Sequence, residues 1–295
     1  MLGRRALLTG GAAALASLAR PSFLQAQPRY RMGLQLFTVR RPLAADLAGT
    51  LKQIAALGYE EVETYGFEPA AVAYYNLPAR ECAALLRDHG LAPISGHYDL
   101  NRFAAASLDE LYRYVDACIA GASALGHRYI TWPFLDPPSR PLEAFKAVVD
   151  RLNPIGERIG RAGLEFAYHN HGYEFVPQDG QVPYELLLAR TDPSLVKLQI
   201  DLYWLAHDSQ QPARYWFDRA PGRFVMWHVK DMHKVSRDYT ELGNGTIDYT
   251  QIWPDAARSG MKHFFVEQGG NFTKDPMQSI ADGAAYVKKH LLKNE

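Results

Sequence analysis

The stretch of this sequence with the clearest chemical potential is a short apolar run that ends in a cluster of polar side chains. The cluster contains His169, Asn170, His171 and Glu174. Successive side chains of a β-strand alternate between its two faces, so the two histidines are expected to point the same way. Gly172 allows the chain to turn and to bring Glu174 back towards them. Imidazole and carboxylate groups together suit a divalent metal ion or proton transfer, whereas the alternative is a solvated loop that is rich in histidine by chance.

The first residues carry the pattern of an export signal. A pair of arginines beginning at Arg4 precedes an uncharged run that extends to Ala19, and residues 24–26 offer a small-residue cleavage site. The paired arginines indicate the twin-arginine route, and the apolar run is shorter than the ~20 residues of a spanning helix. We predict a signal peptide over residues 1–26 and a mature chain over residues 27–295. The protein is then periplasmic or otherwise exported, without a stable membrane span.

The overall charge excludes some classes of function. The sequence has 32 Lys plus Arg and 32 Asp plus Glu, so its formal net charge is zero. This balance gives no electrostatic footprint for nucleic acid. Cys82 and Cys118 lie in helix-like patterns and are expected to be buried apolar residues rather than a disulfide framework. The sequence does not determine the oligomeric state.

One pattern recurs along the mature chain: an amphipathic helix, a glycine suited to a helix C-terminus, and a short apolar strand. Strands are predicted near residues 32–37, 60–64, 92–97, 128–132, 164–169, 196–202, 223–229 and 263–267. Helices are predicted near residues 44–57, 78–89, 108–125, 141–162, 182–190, 211–219, 248–258 and 277–291.

This alternation predicts the α/β class, with parallel strands joined by right-handed crossovers. Eight such units predict a single (β/α)8 TIM barrel. The alternative is an open doubly wound sheet, which usually has a glycine-rich phosphate loop after its first strand. Residues 35–40 contain no such loop.

In a barrel of this kind, the C-terminal ends of all strands meet at one mouth. Acidic and imidazole side chains lie at the ends of the later strands, and we predict a metal site of Glu174, Asp201, His228 and Glu267. Ligands that are rich in oxygen and include one imidazole suit one divalent ion, Mn²⁺, Mg²⁺, Co²⁺ or Zn²⁺. The alternatives are that Asp201 caps a helix and that His228 is a hydrogen-bonded core residue.

The chain resembles the xylose-isomerase-like TIM-barrel superfamily, in the branch of sugar phosphate isomerases/epimerases. The matching phrases are GLQLFTVR (33–40), GYEEVE (58–63), YHNH (168–171) with EF (174–175), DLYW (201–204), HVKD (228–231), GNGTID (243–248) and FVE (265–267). The resemblance implies one divalent ion at the four predicted ligands, with His171 as the alternative to Glu174. Asn244 and residues 206–212 depart from the family pattern near the mouth, so the resemblance does not imply a particular substrate.

The combined prediction is an exported, metal-dependent sugar isomerase or epimerase. It would move a proton next to a carbonyl group through a metal-stabilised enediolate. The predicted proton-transfer groups are Glu174, Glu267, His169, His171 and Lys230. The residues predicted to bind a sugar-like small molecule are Gln35, Glu63, His97, Trp132 and Trp204.

Other functions stay open at this point. Loss of a β-substituent after the proton leaves would give a dehydratase or lyase acting on a keto-sugar, keto-glycoside or cyclitol. A non-catalytic sugar-binding barrel is more remote, because such a protein has no need for paired acid and base groups. An abasic-site endonuclease requires a basic groove, which the zero net charge disfavours. Export also argues against a phosphorylated substrate.

Overall fold

The computed structural model describes residues 30–292, so the predicted signal peptide lies outside the described residues. Eight parallel strands close into a barrel in which each strand pairs with the next and the last pairs with the first. They are β1 (Met32–Gln35), β2 (Glu61–Thr64), β3 (Ala92–His97), β4 (Tyr129–Trp132), β5 (Glu165–His169), β6 (Val196–Asp201), β7 (Met226–Val229) and β8 (His263–Val266). The predicted (β/α)8 barrel is confirmed.

Helices follow the strands and cover the outside of the barrel. Within residues 30–292 they are α1 (Arg40–Ala45), α2 (Leu47–Ala56), α3 (Ala79–Asp88), α4 (Leu108–Leu125), α5 (Leu142–Arg161), α6 (Pro183–Arg190), α7 (Leu202–Asp208), α8 (Ala213–Arg219), α9 (Tyr249–Ile252), α10 (Ala256–Ser259) and α11 (Pro276–His290). No helix in this part of the chain is long and apolar enough to cross a membrane.

Two predicted helices are divided in the structure. The first is interrupted at Asp46, whose side chain accepts the backbone N–H of Gly49 and starts α2 afresh. The helix predicted over residues 248–258 is broken into α9, a 3₁₀ turn containing Pro254, and α10. Proline has no N–H to donate to the preceding turn, which explains this break.

The barrel interior consists of an apolar floor and a polar layer above it. The floor is a small core of Tyr129, Ala167, Val225, Met226 and Phe265. On β5, β7 and β8 the residue two positions after a floor residue is polar, which gives the pairs Ala167/His169, Met226/His228 and Phe265/Glu267. Because strand side chains alternate, each pair points inward, with the polar member nearer the mouth.

Two small antiparallel sheets decorate the mouth. Strands Phe67–Glu68, Ala73–Tyr74 and Leu77–Pro78 form one, and Asp231–Met232 with Tyr239–Thr240 forms the other. The first is anchored by the hydroxyl of Tyr74, which lies 2.5 Å from the hydroxyl of Tyr98 on the barrel side. The tyrosine-rich loop therefore packs firmly against the barrel.

Asn170 joins the ends of β5 and β6. Its side chain is fully buried, accepts the backbone N–H of Asp201 at 3.1 Å and donates to the carbonyl of Asp201 at 3.3 Å. The amide side chain thus continues the backbone pairing of the two strands past the point where the sheet ends. Its effect is to fix the position of Asp201.

Replacing Asn170 with alanine should therefore destabilise the protein. The Asn170→Ala variant leaves a buried donor and a buried acceptor of Asp201 unpaired, so we expect the free energy of unfolding to fall by about 1–3 kcal/mol. Urea denaturation measures this change. The control is Asn153→Ala, because Asn153 also bridges two backbone groups but at an exposed site, where water replaces the lost bonds. Equal losses in the two variants would contradict the role assigned to Asn170.

Candidate active site

Five of the predicted site residues line a cavity of about 390 Å³ at the mouth of the barrel, namely His97, His169, His171, Lys230 and Glu267. The cavity is lined by Phe37, Tyr65, Gly66, Phe67, His97, Asp99, Tyr114, Pro133, Phe134, His169, His171, Lys230 and Glu267. One part of this lining is polar and ionisable, and the other part is aromatic. Such a surface suits a small molecule that has both hydroxyl groups and an apolar face.

Three buried side chains from successive strands converge at the edge of this cavity. Asp201, His228 and Glu267 each offer a ligand atom, and the three atoms lie within 4.8 Å of one another. His228 Nδ1 is 2.6 Å from Glu267 Oε2 and 3.9 Å from Asp201 Oδ2. None of these three buried atoms has a partner with hydrogen-bond geometry. Two carboxylates and one imidazole that converge in this way are a set of ligands that fits a divalent cation.

Asp201 performs two tasks with its two carboxylate oxygens. Its Oδ1 accepts the backbone N–H groups of Tyr203 and Trp204 at 3.0 and 3.1 Å and so caps α7. Its Oδ2 faces His228 and Glu267. The helix-cap alternative is therefore correct for one oxygen, while the other oxygen faces the possible metal site. The cap also explains why α7 begins directly at the end of β6.

Glu63 lies beneath the site, where it contacts His228 and does not line the cavity. Its carboxylate is fully buried, and His228 Nε2 lies 2.6 Å from Oε2. Gln35 and Gln199 each donate to it at 2.7 Å. This network assigns the Nε2 proton to His228 when its ring is neutral and directs the Nδ1 lone pair towards Asp201 and Glu267. The prediction that Gln35 and Glu63 hold the substrate has no support in these contacts, because all these groups bind one another.

The charges of this network are strongly coupled. Burial by itself raises the pKa of Glu63, but His97 and His228 outweigh it and hold that pKa well below its usual range. Burial lowers the pKa of His228, but Glu63 and Glu267 reverse this and raise it to about 9. Without a bound cation, His228 is therefore an imidazolium between two carboxylates. A metal ion at Nδ1 would replace one of its protons.

Lys230 adds a second positive charge at the same place. Its Nζ lies 2.7 Å from Asp201 Oδ2 and 2.7 Å from Glu267 Oε2. Burial alone lowers the pKa of Lys230, but the two carboxylates raise it above the ordinary lysine value. Burial likewise raises the pKa of Glu267, while Lys230 and His228 lower it overall. Lys230 is thus an ammonium ion and Glu267 a carboxylate.

The remaining histidines form the polar wall of the cavity. His169 and His171 lie side by side with ring centroids 5.2 Å apart, as strand alternation predicts. Burial lowers the pKa of His169 well below its usual value and that of His171 to about 3, so both rings are neutral. His169 Nε2 is 3.7 Å from Asp201 Oδ2. His97, His169 and His228 form a second group that could hold a metal ion.

Glu174 lies apart from the other predicted ligands. Its carboxyl group accepts hydrogen bonds from the Tyr168 hydroxyl at 2.8 Å and from the backbone N–H of His171 at 3.0 Å. Glu174 belongs to neither group of possible metal ligands among residues 30–292. Tyr168 alternates with His169 and faces the outer core, so Glu174 folds back onto that side of β5. Its observed contacts hold the loop that presents His171.

The two predicted tryptophan walls lie behind the cavity lining. Trp132 is fully buried in the core between strands and helices. Trp204 packs behind His171, with ring centroids 5.4 Å apart. The aromatic side chains that reach the cavity are instead Phe37, Tyr65, Phe67 and Phe134. They come from loops after the strands, where side-chain periodicity gives no guide to direction.

Gln199 is a member of the polar network that the sequence analysis did not identify. Its side chain is fully buried. Its amide nitrogen donates to Glu63 Oε1 at 2.7 Å, and its amide oxygen lies 3.0 Å from His97 Nε2. The sequence feature that could have predicted this role is its position two residues before Asp201 in an apolar strand. This spacing places both side chains on the inner face of the barrel.

Comparison with known proteins identifies related sequences. Residues 51–290 match the sequence model described as the xylose isomerase-like TIM barrel. An inosose dehydratase from Bacillus licheniformis is 27% identical over 181 residues, which cover 54% of this chain and 58% of that protein. The chain thus spans little more than half the length of this relative.

Solved structures resemble the whole barrel. A sugar phosphate isomerase/epimerase from Parabacteroides distasonis aligns with a TM-score of 0.79 and 24% identity, over 91% of this chain and 96% of the other. The IOLI protein with a bound zinc atom aligns with a TM-score of 0.71 and 14% identity, over 90% and 99% of the two chains. At these identities the similarity establishes the fold.

The contact between Glu63 and His228 leads to a test of metal binding. In the Glu63→Gln variant, the amide no longer supplies a negative charge to the Nε2 proton, so His228 becomes a poorer ligand. We expect the Kd for Mn²⁺, measured by titration calorimetry, to rise about 10–100-fold. The control is Glu61→Gln, which removes a carboxylate from the same strand, where it contacts His263 at 2.8 Å away from the metal-ligand groups. Equal affinity in wild type and Glu63→Gln would contradict this role.

Glu174 should make stability depend on pH. Burial raises its pKa from 4.5 to about 8, so between these values the folded state holds a proton that the unfolded state has lost. The free energy of unfolding should therefore decrease as pH rises through this window, on the order of a few kcal/mol. The Glu174→Gln variant should lack this component in urea denaturation from pH 5 to pH 8.

The control for this experiment is Glu241→Gln. The contacts of Glu241 with Thr273 outweigh the effect of burial and lower its pKa, so its removal leaves the slope between pH 5 and pH 8 in place. If wild type and Glu174→Gln give parallel curves over this range, the buried neutral carboxyl assigned to Glu174 is wrong.

Proposed function

The chain belongs to the xylose isomerase-like TIM barrel family, and we propose that it is a metal-dependent sugar isomerase or epimerase. The observation that carries the proposal is that one ligand atom each of Asp201, His228 and Glu267 lies within 4.8 Å of the others. They converge beside a cavity lined by the neutral rings of His169 and His171. The reaction is proton transfer next to a carbonyl group of a sugar-like molecule.

Asp201, His228 and Glu267 would hold one divalent ion, and His169 faces the same position. Mn²⁺, Mg²⁺, Co²⁺ and Zn²⁺ all accept this set of oxygen and nitrogen donors. A bound ion supplies Lewis-acid stabilisation of negative charge on a substrate oxygen. Glu63 keeps His228 oriented towards the ion, and Asn170 keeps Asp201 in place.

The side chains that move the proton must reach the cavity. Glu267 is an ionised carboxylate in its lining, and His171 is a neutral imidazole whose buried Nδ1 has no hydrogen-bond partner. We assign proton transfer to these two groups, with His169 beside them. Lys230, also in the lining, supplies positive charge to the oxygen on which the electrons collect. Glu174 supports this arrangement through the backbone of His171.

A dehydratase or lyase is the second candidate, and one feature favours it. The Lys230 ammonium lines the cavity, so it can donate a proton to a departing hydroxyl group after a neighbouring carbon has lost its proton. The partial match to an inosose dehydratase agrees with this alternative. Its substrate would be a keto-sugar, a keto-glycoside or a cyclitol with a carbonyl group.

The substrate is proposed to carry no phosphate group. Among the described residues that line the cavity, Lys230 is the only lysine or arginine, and the same lining contains the acidic side chains of Asp99 and Glu267. The aromatic side chains opposite suit the C–H face of a sugar ring. Export to the periplasm remains a prediction from residues 1–26, and a non-phosphorylated substrate agrees with it.

Solvent exchange tests the proposal directly. The mature protein, stripped of metal and then supplied with Mn²⁺, is incubated in D₂O with non-phosphorylated hexoses, keto-glycosides and keto-cyclitols. NMR should show deuterium at the carbon next to the carbonyl of a substrate that turns over. A product that differs from the substrate only in configuration or carbonyl position and in exchanged hydrogen indicates isomerisation or epimerisation, whereas loss of water indicates the dehydratase.

Variants locate this activity at the cluster. Loss of a residue that only orients a metal ligand typically lowers activity by about 10–100-fold. We expect Asp201→Asn, which changes a ligand itself, to lower the turnover rate by a larger factor. The control is Asp99→Asn, since Asp99 lines the cavity outside the metal-ligand groups. Absence of a bound divalent ion together with absence of metal-dependent turnover would refute the enzyme.

A further inference from the structure

The ammonium group of Lys230 contacts the same carboxylate oxygens that face the proposed metal site. Nζ lies 2.7 Å from Asp201 Oδ2 and 2.7 Å from Glu267 Oε2. These two oxygens and His228 Nδ1 are the three converging atoms that lack hydrogen-bond geometry. The lysine therefore places its positive charge against two of the three proposed metal-binding atoms.

The charge of the cluster explains why a cation is needed there. Glu63, Asp201 and Glu267 are buried carboxylates, and His228 with its two carboxylate neighbours compensates only part of their charge. A buried carboxylate without a cationic partner is strongly destabilising. Lys230 provides a second positive charge from within the chain.

A divalent ion would compete with this ammonium group for the two oxygens. An ion bound to carboxylate oxygens lies about 2.0–2.2 Å from them. The ammonium has no lone pair to offer as a ligand, and at close range it repels a dication. The binding of one cation therefore weakens the binding of the other.

The side chain of Lys230 can move while its backbone stays fixed. The Tyr249 hydroxyl accepts the N–H of Lys230 at 2.9 Å and lies 2.6 Å from its carbonyl oxygen, which clamps the backbone. Nζ already borders the cavity, and the ring of Tyr239 lies 5.9 Å away as a further site of attraction. Rotation of the flexible lysine stem is therefore enough to move the charge from the carboxylates into the cavity.

We propose that Lys230 is a built-in counter-cation that neutralises Asp201 and Glu267 until a divalent ion displaces it into the substrate cavity. The inference rests on the proposed metal-dependent function and adds a form of regulation to it. Before metal binds, the lysine keeps the buried carboxylates stable. After metal binds, the same charge faces the substrate, so the positive group that stabilises the reacting oxygen becomes available only in the loaded enzyme.

Removal of this charge should increase metal affinity. In the Lys230→Met variant, calorimetry should give a Kd for Mn²⁺ that is lower than that of wild type by about tenfold or more, because the competing charge is gone. The metal-free variant should have a lower Tm than metal-free wild type. Saturating Mn²⁺ should raise the Tm of the variant by more than it raises the Tm of wild type. Weaker or equal affinity in Lys230→Met would overturn the inference.

Two controls separate charge from general damage. Lys230→Arg retains a cation at the site and should bind Mn²⁺ no more tightly than wild type. Lys288→Met removes a surface lysine that donates to the carbonyl of Leu57, and it should leave metal affinity unchanged. An increase in affinity in either control variant would count against the proposed displacement.

A measurement on the wild-type protein covers the case in which Lys230→Met does not fold without metal. The rate of amine acetylation at Lys230, followed by mass spectrometry of peptides, should rise when Zn²⁺ is added, while that of Lys288 stays constant. An unchanged rate at Lys230 despite bound Zn²⁺ would overturn displacement and leave the proposed function standing. If the wild-type protein binds no divalent ion in either experiment, the proposed function and this inference both fail.

Discussion

The buried Glu63 carboxylate is the constraint on which the rest of the site depends. It lies 2.6 Å from His228 Nε2, and the side chains of Gln35 and Gln199 satisfy its remaining bonding capacity. A charge this deep in a barrel is tolerated only because cationic and amide donors surround it. In return it fixes the ring of His228 and thereby the direction in which Nδ1 faces. One fully enclosed residue thus orients the central ligand, while Asn170 fixes the position of Asp201.

The barrel makes this arrangement possible because its inward-facing side chains change from apolar to polar along the barrel axis. An apolar floor around Met226 and Phe265 closes the interior, and a step of two residues along each strand leads from that floor to His228 and Glu267. The floor excludes water from below, while the mouth admits a ligand from above. Within this polar layer, two cations, His228 and Lys230, offset part of the negative charge of the carboxylates. The site is therefore held together by charges that any bound metal ion must rearrange.

Several features were predictable because they depend on local pattern. The recurrence of helix, glycine and strand predicted six of the eight strands, and the apolar runs near residues 32–37 and 196–202 predicted the other two. Strand ends predicted the convergence of Asp201, His228 and Glu267. The directions of the Glu174 and Trp132 side chains could not be predicted from local pattern in this way. Glu174 follows a turn, so its direction depends on whether Tyr168 or the cavity offers the better partner. Trp132 lies on the same face of its strand as Ile130, and only the packed structure shows that this face joins the outer core.

The sequence by itself determined the eightfold alternation of elements and the chemical types of the side chains at the strand ends, because hydrophobic periodicity and chain reversal are local properties. The tertiary structure alone decided the partners of His169, His171 and Glu174, the first polar cluster to attract notice. The two histidines line the cavity, and Glu174 accepts a hydrogen bond from Tyr168 on the opposite face of the strand. Whether a carboxylate binds an ion, a lysine or a tyrosine depends on distances between residues far apart in the chain, and strand closure sets those distances only when the barrel forms.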